Sequence, residues 1–135
     1  MIVADANLLV YLVLPGERSE QAEAILLEDP TWVVPLLWVS ELRSVMNRYM
    51  RSGELTLRQA VAAMERAASI VAGREAPVES RDVLELSSTS GCSTYDCEYV
   101  ALARALGVKL VTSDREVLKA FPKLAISPDE FGLLN

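Results

Sequence analysis

Two short apolar runs each end on an aspartate that a helix-forming stretch follows, and this arrangement restricts the chain to few folds. Ile2-Val3-Ala4 runs into Asp5, and Leu110-Val111-Thr112-Ser113 runs into Asp114. Runs this short and apolar fit strands buried on both faces, the pattern of a parallel sheet covered by helices. The intervening chain supports that reading. Helical patterns are expected over 7–14, stopped by Pro15-Gly16, and over 17–28, where Ala22, Ile25 and Leu26 sit among acids. Further helices are expected over 36–51, closed by Ser52-Gly53, and over 57–71, closed by Gly73. Others follow over 82–90, over 95–106, ended by Gly107 just past the last helical residue, and over 115–121, stopped by Pro122. Strand patterns lie at 31–35, 77–79, 108–112 and 124–126. Strands alternating with helices predict an α/β fold: a central, mostly parallel sheet of about four or five strands with helices on both faces. The chain has room for one domain, residues 1–135, and shows no internal repeat or linker.

In open sheets of this type ligands bind beyond the carboxyl ends of the strands. Asp5 and Asp114 sit at such ends. Each also has a plain structural reading. Asp5 suits the cap of the helix after it, and Ser113-Asp114-Arg115-Glu116 fits a capping box with Ser113 as the cap. Asp96 lies in Ser93-Thr94-Tyr95-Asp96, another box-like start, with Tyr99 and Val100 as its helical neighbours. Glu41 is harder to assign to a structural role. Its neighbours three and four residues away are Leu37, Trp38, Ser44 and Val45, an apolar border without a cation. A carboxylate placed there must pair, hold its proton or bind a metal, because desolvating it alone is costly. Taken together, four acids at two strand ends and near two helix starts would surround one crevice.

The chain contains no histidine, which removes imidazole bases, Ser-His-Asp triads and His-ligated zinc. Cys92 and Cys97 are wrongly spaced for a CxxC pair and too few for a structural zinc. They read as buried thiols, with a local disulfide as the alternative. A net charge of −6 argues against a simple nucleic-acid-binding module but suits a site whose acids are neutralised by bound metal. Arg43, Arg48 and Arg51 read as a solvated helix face. Arg115 and Lys119 could steer a phosphate backbone, though ordinary surface charge explains them too. Trp38, Tyr95 and Tyr99 read as core residues rather than base-stacking platforms. No apolar run approaches the roughly 18 residues of a membrane span. The start MIVADANLLV lacks a basic flank and a small-residue cleavage site, so a soluble cytoplasmic protein is expected.

Three segments carry a resemblance to PIN domains, most nearly to the VapC-type ribonuclease toxins of toxin–antitoxin pairs. VADANLLVYL is similar to their D-x-N/S opening. SELRSVMNRYMRSGELT is similar to the helix bearing the second acid, and STYDCEYVALARALGVKLVTSD to the segment bearing the third and fourth. The resemblance spans nearly the whole chain and keeps segment order and spacing. It places Asp5, Glu41, Asp96 and Asp114 on the family's four acidic positions, and Asn7 and Ser113 on polar positions that orient them. It further implies Mg²⁺ or Mn²⁺ held first by Asp5 and Asp96, an RNA substrate, a homodimer, and an antitoxin partner whose tail enters the cleft.

Two other readings compete. A haloacid-dehalogenase-like phosphatase would use Asp5 as nucleophile, but it wants D-x-D where this chain has Asn7. Its lysine is hard to place among Lys109, Lys119 and Lys123. A receiver-like module is disfavoured by the absence of an acidic pair before the first loop. A PIN scaffold that only binds a protein partner would not need all four acids.

Overall fold

The computed structural model describes residues 1–133. Its five strands are β1 (Ile2–Ala4), β2 (Trp32–Pro35), β3 (Glu75–Ala76), β4 (Leu110–Val111) and β5 (Ala125–Ile126). They form one sheet in the order β3-β2-β1-β4-β5, and every pairing is parallel. The chain therefore steps from β1 to β2 and β3 in one direction. It then crosses back over both to add β4 and β5 on the far side of β1.

That reversal decides where the helices lie. Parallel crossovers are right-handed, so reversing the direction of travel moves the connecting helices to the opposite face. The helices before the reversal are α1 (Ala6–Val13), α2 (Ser19–Glu28), α3 (Trp38–Arg51) and α4 (Leu57–Val71). Their buried residues, Leu8, Leu42, Ala63 and Val71 among them, pack with Ile2, Ala4, Trp32 and Val34 in one core. The helices after it are α5 (Ser80–Ser90), α6 (Thr94–Leu106) and α7 (Arg115–Ala120). Val83, Leu86, Val100 and Val117 pack with Val3, Val33 and Leu110 in a second core on the other face. Alternation along each strand sends neighbouring side chains into different cores, so both cores need apolar residues at every position. This is why the strands read as unbroken apolar runs.

Two expectations need correction. The third strand is at Glu75–Ala76, not 77–79: Glu75 aligns with Val34 and Ala76 with Pro35, and the Val34 amide donates to the Arg74 carbonyl. Pro77, lacking an N–H, cannot extend that ladder. A further helix, α8 (Pro128–Leu133), was not anticipated. Its signal was present: the Ser127 hydroxyl accepts the Glu130 amide at 3.1 Å, with proline at the first helical position.

The start of α4 shows how local chemistry sets boundaries. The Thr56 hydroxyl accepts the Gln59 amide at 3.2 Å, and the Gln59 side chain accepts the Thr56 amide at 2.9 Å. Thr56→Ala removes one half of this reciprocal cap. It is expected to lower unfolding free energy by about 1 kcal/mol, read as a shift in the urea midpoint at unchanged slope. No loss would mean that α4 is held by packing alone.

Candidate active site

Because β1 leads to β2 on one side while β4 is added on the other, the strand order reverses between β1 and β4. In sheets of this type such a reversal is where a ligand crevice is expected, beyond the carboxyl ends of the two strands. Asp5 follows β1 directly and Asp114 follows β4 by three residues. The Asp5 amide donates to the Val111 carbonyl at 3.1 Å, fastening the two strand ends together. Glu41 enters from the first turn of α3 and Asp96 from the first turn of α6. All four acids therefore lie at or beside a helix N-terminus, where the backbone dipole favours negative charge.

The caps are real, but they do not exhaust the acids. One Asp5 oxygen accepts the Ala6 amide at 2.8 Å at the start of α1. Asp114, not Ser113, caps α7, accepting the Glu116 and Val117 amides at 2.9 and 3.1 Å. Ser93 caps α6 by accepting the Asp96 amide at 3.1 Å, and its hydroxyl also favours the charged Asp96 carboxylate.

Sequence reasoning missed the residue that links the two strand-end acids. The Thr112 hydroxyl donates to Asp5 Oδ2 and accepts the Asp114 amide at 3.0 Å. Thr112 is a buried polar residue in an otherwise apolar strand end, 1% exposed. A threonine inside an otherwise apolar strand, two residues before an aspartate, was the available signal. The Ser113 hydroxyl instead bonds to the Tyr11 hydroxyl at 2.8 Å. Asn7 is exposed on α1.

The acids feel one another. Burial, first, pushes Asp5 up from 3.8 to about 6; the Thr112 and Ala6 bonds oppose this, and the charges of Asp96 and Asp114 add to it. Burial likewise pushes Glu41 up to about 7, with Asp5, Asp96 and Glu98 adding repulsion. Asp96 is raised by burial and then by Asp114 and Glu116. These mutual influences put Asp5, Glu41, Asp96 and Asp114 within electrostatic reach of one another. Glu98, which the sequence analysis did not single out, and Glu116, read there only as part of a capping box, add to this repulsion. The Tyr99 hydroxyl is close enough to affect Glu41, yet neither it nor Glu41 Oε1 has a hydrogen bond of acceptable geometry. Burial and the Glu41 charge keep Tyr99 protonated.

Among the described residues no ion pair neutralises this charge. Ion pairs among the described residues join Met1 to Asp29, Arg66 to Glu23 and Arg104 to Asp82. No three acidic or thiol side chains among the described residues stand close enough to enclose a metal ion by themselves. The donor set nevertheless fits a hard divalent cation. The oxygens are of the preferred kind, Glu41 Oε1 is buried without a partner, and an ion that keeps several waters needs only one or two carboxylates. Glu41 and Asp96 also line an open groove of about 550 Å³ that gives access from solvent. Cys92 and Cys97 are free and buried.

Among the described residues no helix is long and apolar enough to cross a membrane. The sequence profile of the PIN domain matches residues 2–124. Ribonuclease VapC3 of Pyrobaculum aerophilum is 30% identical over 126 residues, covering 91% of this chain and 96% of that protein. The crystal structure of PAE2754, from the same organism, superposes with a TM-score of 0.79 at 21% identity, covering 98% of this chain and 87% of that one. FitAcB from Neisseria gonorrhoeae gives 0.67 at 22% identity, covering 95% of this chain and 98% of its own. At these identities the solved structures speak for the fold.

Proposed function

The chain belongs to the PIN domain family, and on that premise we propose that it is a Mg²⁺- or Mn²⁺-dependent endoribonuclease, the toxin of a toxin–antitoxin pair. The observation that supports the reading best is that Asp5, Glu41, Asp96 and Asp114, from two strand ends and two helix starts, come within electrostatic reach of one another, while no ion pair among the described residues neutralises them. The relative that bears the name ribonuclease spans nearly the whole chain, which supports RNA as the substrate.

Asp5 and Asp96 would hold the cation, with Asp114 and Glu41 beside them. When bound, such an ion lowers the pKa of its water and neutralises charge developing on the phosphoryl oxygens. The chain's own groups do the rest. Thr112 and the Ala6 amide fix the Asp5 carboxylate in one orientation. Glu41, the acid that enters from α3, would accept a proton from the attacking water, the part that histidine plays elsewhere. Asp114, fixed by two amides of α7, would help to orient that water.

The direct test is incubation with a pool of cellular RNAs in Mg²⁺ or Mn²⁺, with mapping of the cut ends and an EDTA control. Discrete cuts that vanish with EDTA are expected. Intact RNA under all conditions would remove the activity, and cutting that survives EDTA would remove the metal.

Thr112→Val tests the support beneath the acids. It keeps the shape but strips the hydroxyl from Asp5 and leaves the Asp114 amide unpaired. Cleavage is expected to fall roughly 10–100-fold, the usual cost of losing a group that orients a metal ligand. Unchanged kcat/KM would show that the acids hold their geometry without it.

A cognate antitoxin and a second copy of the chain are the proposed protein partners. An apolar groove of about 610 Å³ between α3 and α4, with exposed Leu57 and Val61, supports a protein-binding surface. Co-purification with the product of an adjacent gene and light scattering of the isolated chain check the two.

A further inference from the structure

Tyr95 contradicts its sequence reading as a core residue: it is 64% exposed, while Trp38 and Tyr99 are 2% exposed. Its position explains this. It is the second residue of α6, on the solvent side of the turn whose next residue, Asp96, enters the pocket. The chain's other tyrosines are all engaged. Tyr11 bonds Ser113 and lies under the Arg18 guanidinium, Tyr49 lies under Arg48, and Tyr99 is buried against Glu41. Among the described residues no such partner covers the ring of Tyr95. It instead lines the 550 Å³ groove together with Leu37, Glu41, Ser44, Ser93 and Asp96. That volume lies in the range of small-ligand clefts, roughly 300–1,000 Å³.

The chemistry of the lining limits what enters. No lysine or arginine is present and two acids are, so the phosphate backbone is repelled except where metal neutralises the acids. A neutral planar group meets no such barrier. The uncovered phenol ring offers it a stacking face. The serine hydroxyls and the carboxylates accept from exocyclic amino groups. We propose that Tyr95 is a base-stacking residue that holds an unpaired nucleobase of the RNA next to the scissile phosphate, with the Ser44 side of the groove facing that base's edge. Single-stranded RNA is bound in this way because unstacked bases can be splayed onto aromatic side chains, whereas a duplex keeps its bases covered. The groove thus selects loops and single strands over helical RNA. This inference rests on the ribonuclease reading.

The test uses single-stranded oligoribonucleotides with 2-aminopurine beside a mapped cut site, in Ca²⁺ for binding and Mg²⁺ for cleavage. Wild type is expected to quench the probe and to leave the matching duplex unquenched. Tyr95→Ala and Tyr95→Leu should each weaken binding roughly tenfold or more, with the loss in KM and kcat within about threefold. Tyr95→Trp should retain both affinity and quenching, because it keeps the ring. Wild-type-like binding by Tyr95→Leu would overturn stacking, as would a loss confined to kcat. Loss of a dimer in Tyr95→Ala with RNA affinity unchanged would overturn it too, by making the ring a protein contact. Failure of wild type to bind or cut any RNA would instead remove the ribonuclease reading, and this inference with it.

Discussion

Asp96→Asn is expected to reduce Mg²⁺-dependent RNA cleavage by roughly a thousandfold or more while leaving the circular dichroism spectrum unchanged. Removing a group that merely orients a metal ligand costs roughly 10–100-fold. Removing a ligand's charge should cost more, because the amide neither neutralises the cation nor holds it in place. The substitution is close to isosteric, and Ser93 still caps α6 through the backbone amide of residue 96. The fold should therefore survive. The half-buried acid Asp82, which pairs with Arg104 in the last turn of α6, provides the control. Asp82→Asn should cut RNA at the wild-type rate. Retention of more than about a tenth of wild-type kcat/KM by Asp96→Asn would remove Asp96 from the metal site. An equal loss in Asp82→Asn would point to a general effect of charge on RNA binding.

The second large effect concerns stability without metal. Asp5 and Glu41 have folded-state pKa values above their ordinary ones, about 6 against 3.8 and about 7 against 4.5, with burial as the main cause. Between about pH 4 and 7 the folded chain therefore binds more protons at these sites than the unfolded chain. Unfolding free energy must then fall as pH rises through this window. The contribution of these groups is fully present below about pH 4 and lost above about pH 7. Asp5, the more enclosed, accounts for a loss on the order of 2–3 kcal/mol; Glu41 is partly exposed and adds less.

Urea unfolding in EDTA at pH 4.5, 6 and 7.5 reads this effect. The comparison is with Asp5→Asn, in which asparagine keeps the cap and carries no charge. The variant should lose much of the slope and be the more stable protein at pH 7.5. Mn²⁺ should stabilise the wild type at pH 7.5 by about 2.7 kcal/mol at a hundredfold excess over Kd. It should do little at pH 4.5, where protons hold the site. A wild-type curve that rises from pH 4.5 to 7.5 in parallel with the variant would show that Asp5 is not the strained acid described here.

The strand ends were legible because both determinants were local. An unbroken apolar run needs two buried faces, and the aspartate that ends it needs nothing from the rest of the chain to be recognised. Glycine in the left-handed region after α6, at Gly107 with φ +66°, was legible for the same reason. The extent of β3 was not. Glu75 and Ala76 form a strand only because Val34 and Pro35 lie alongside them, and neither residue has a strong strand preference of its own. Tyr95 and Tyr99 share one helix and one chemistry. Only the packing of α6 against the sheet decides that one is buried and the other is open to the groove.

By itself the sequence determined the strand–helix alternation, the placing of four acids at strand ends and helix starts, and the absence of histidine. The tertiary structure decided that β4 adds beside β1, so that acids more than a hundred residues apart in the chain meet across one crevice. It also decided that Thr112 rather than Ser113 joins them. A hydroxyl's partner depends on which face of a strand it occupies and what the neighbouring strand presents there. Both are set by long-range pairing that no local pattern encodes.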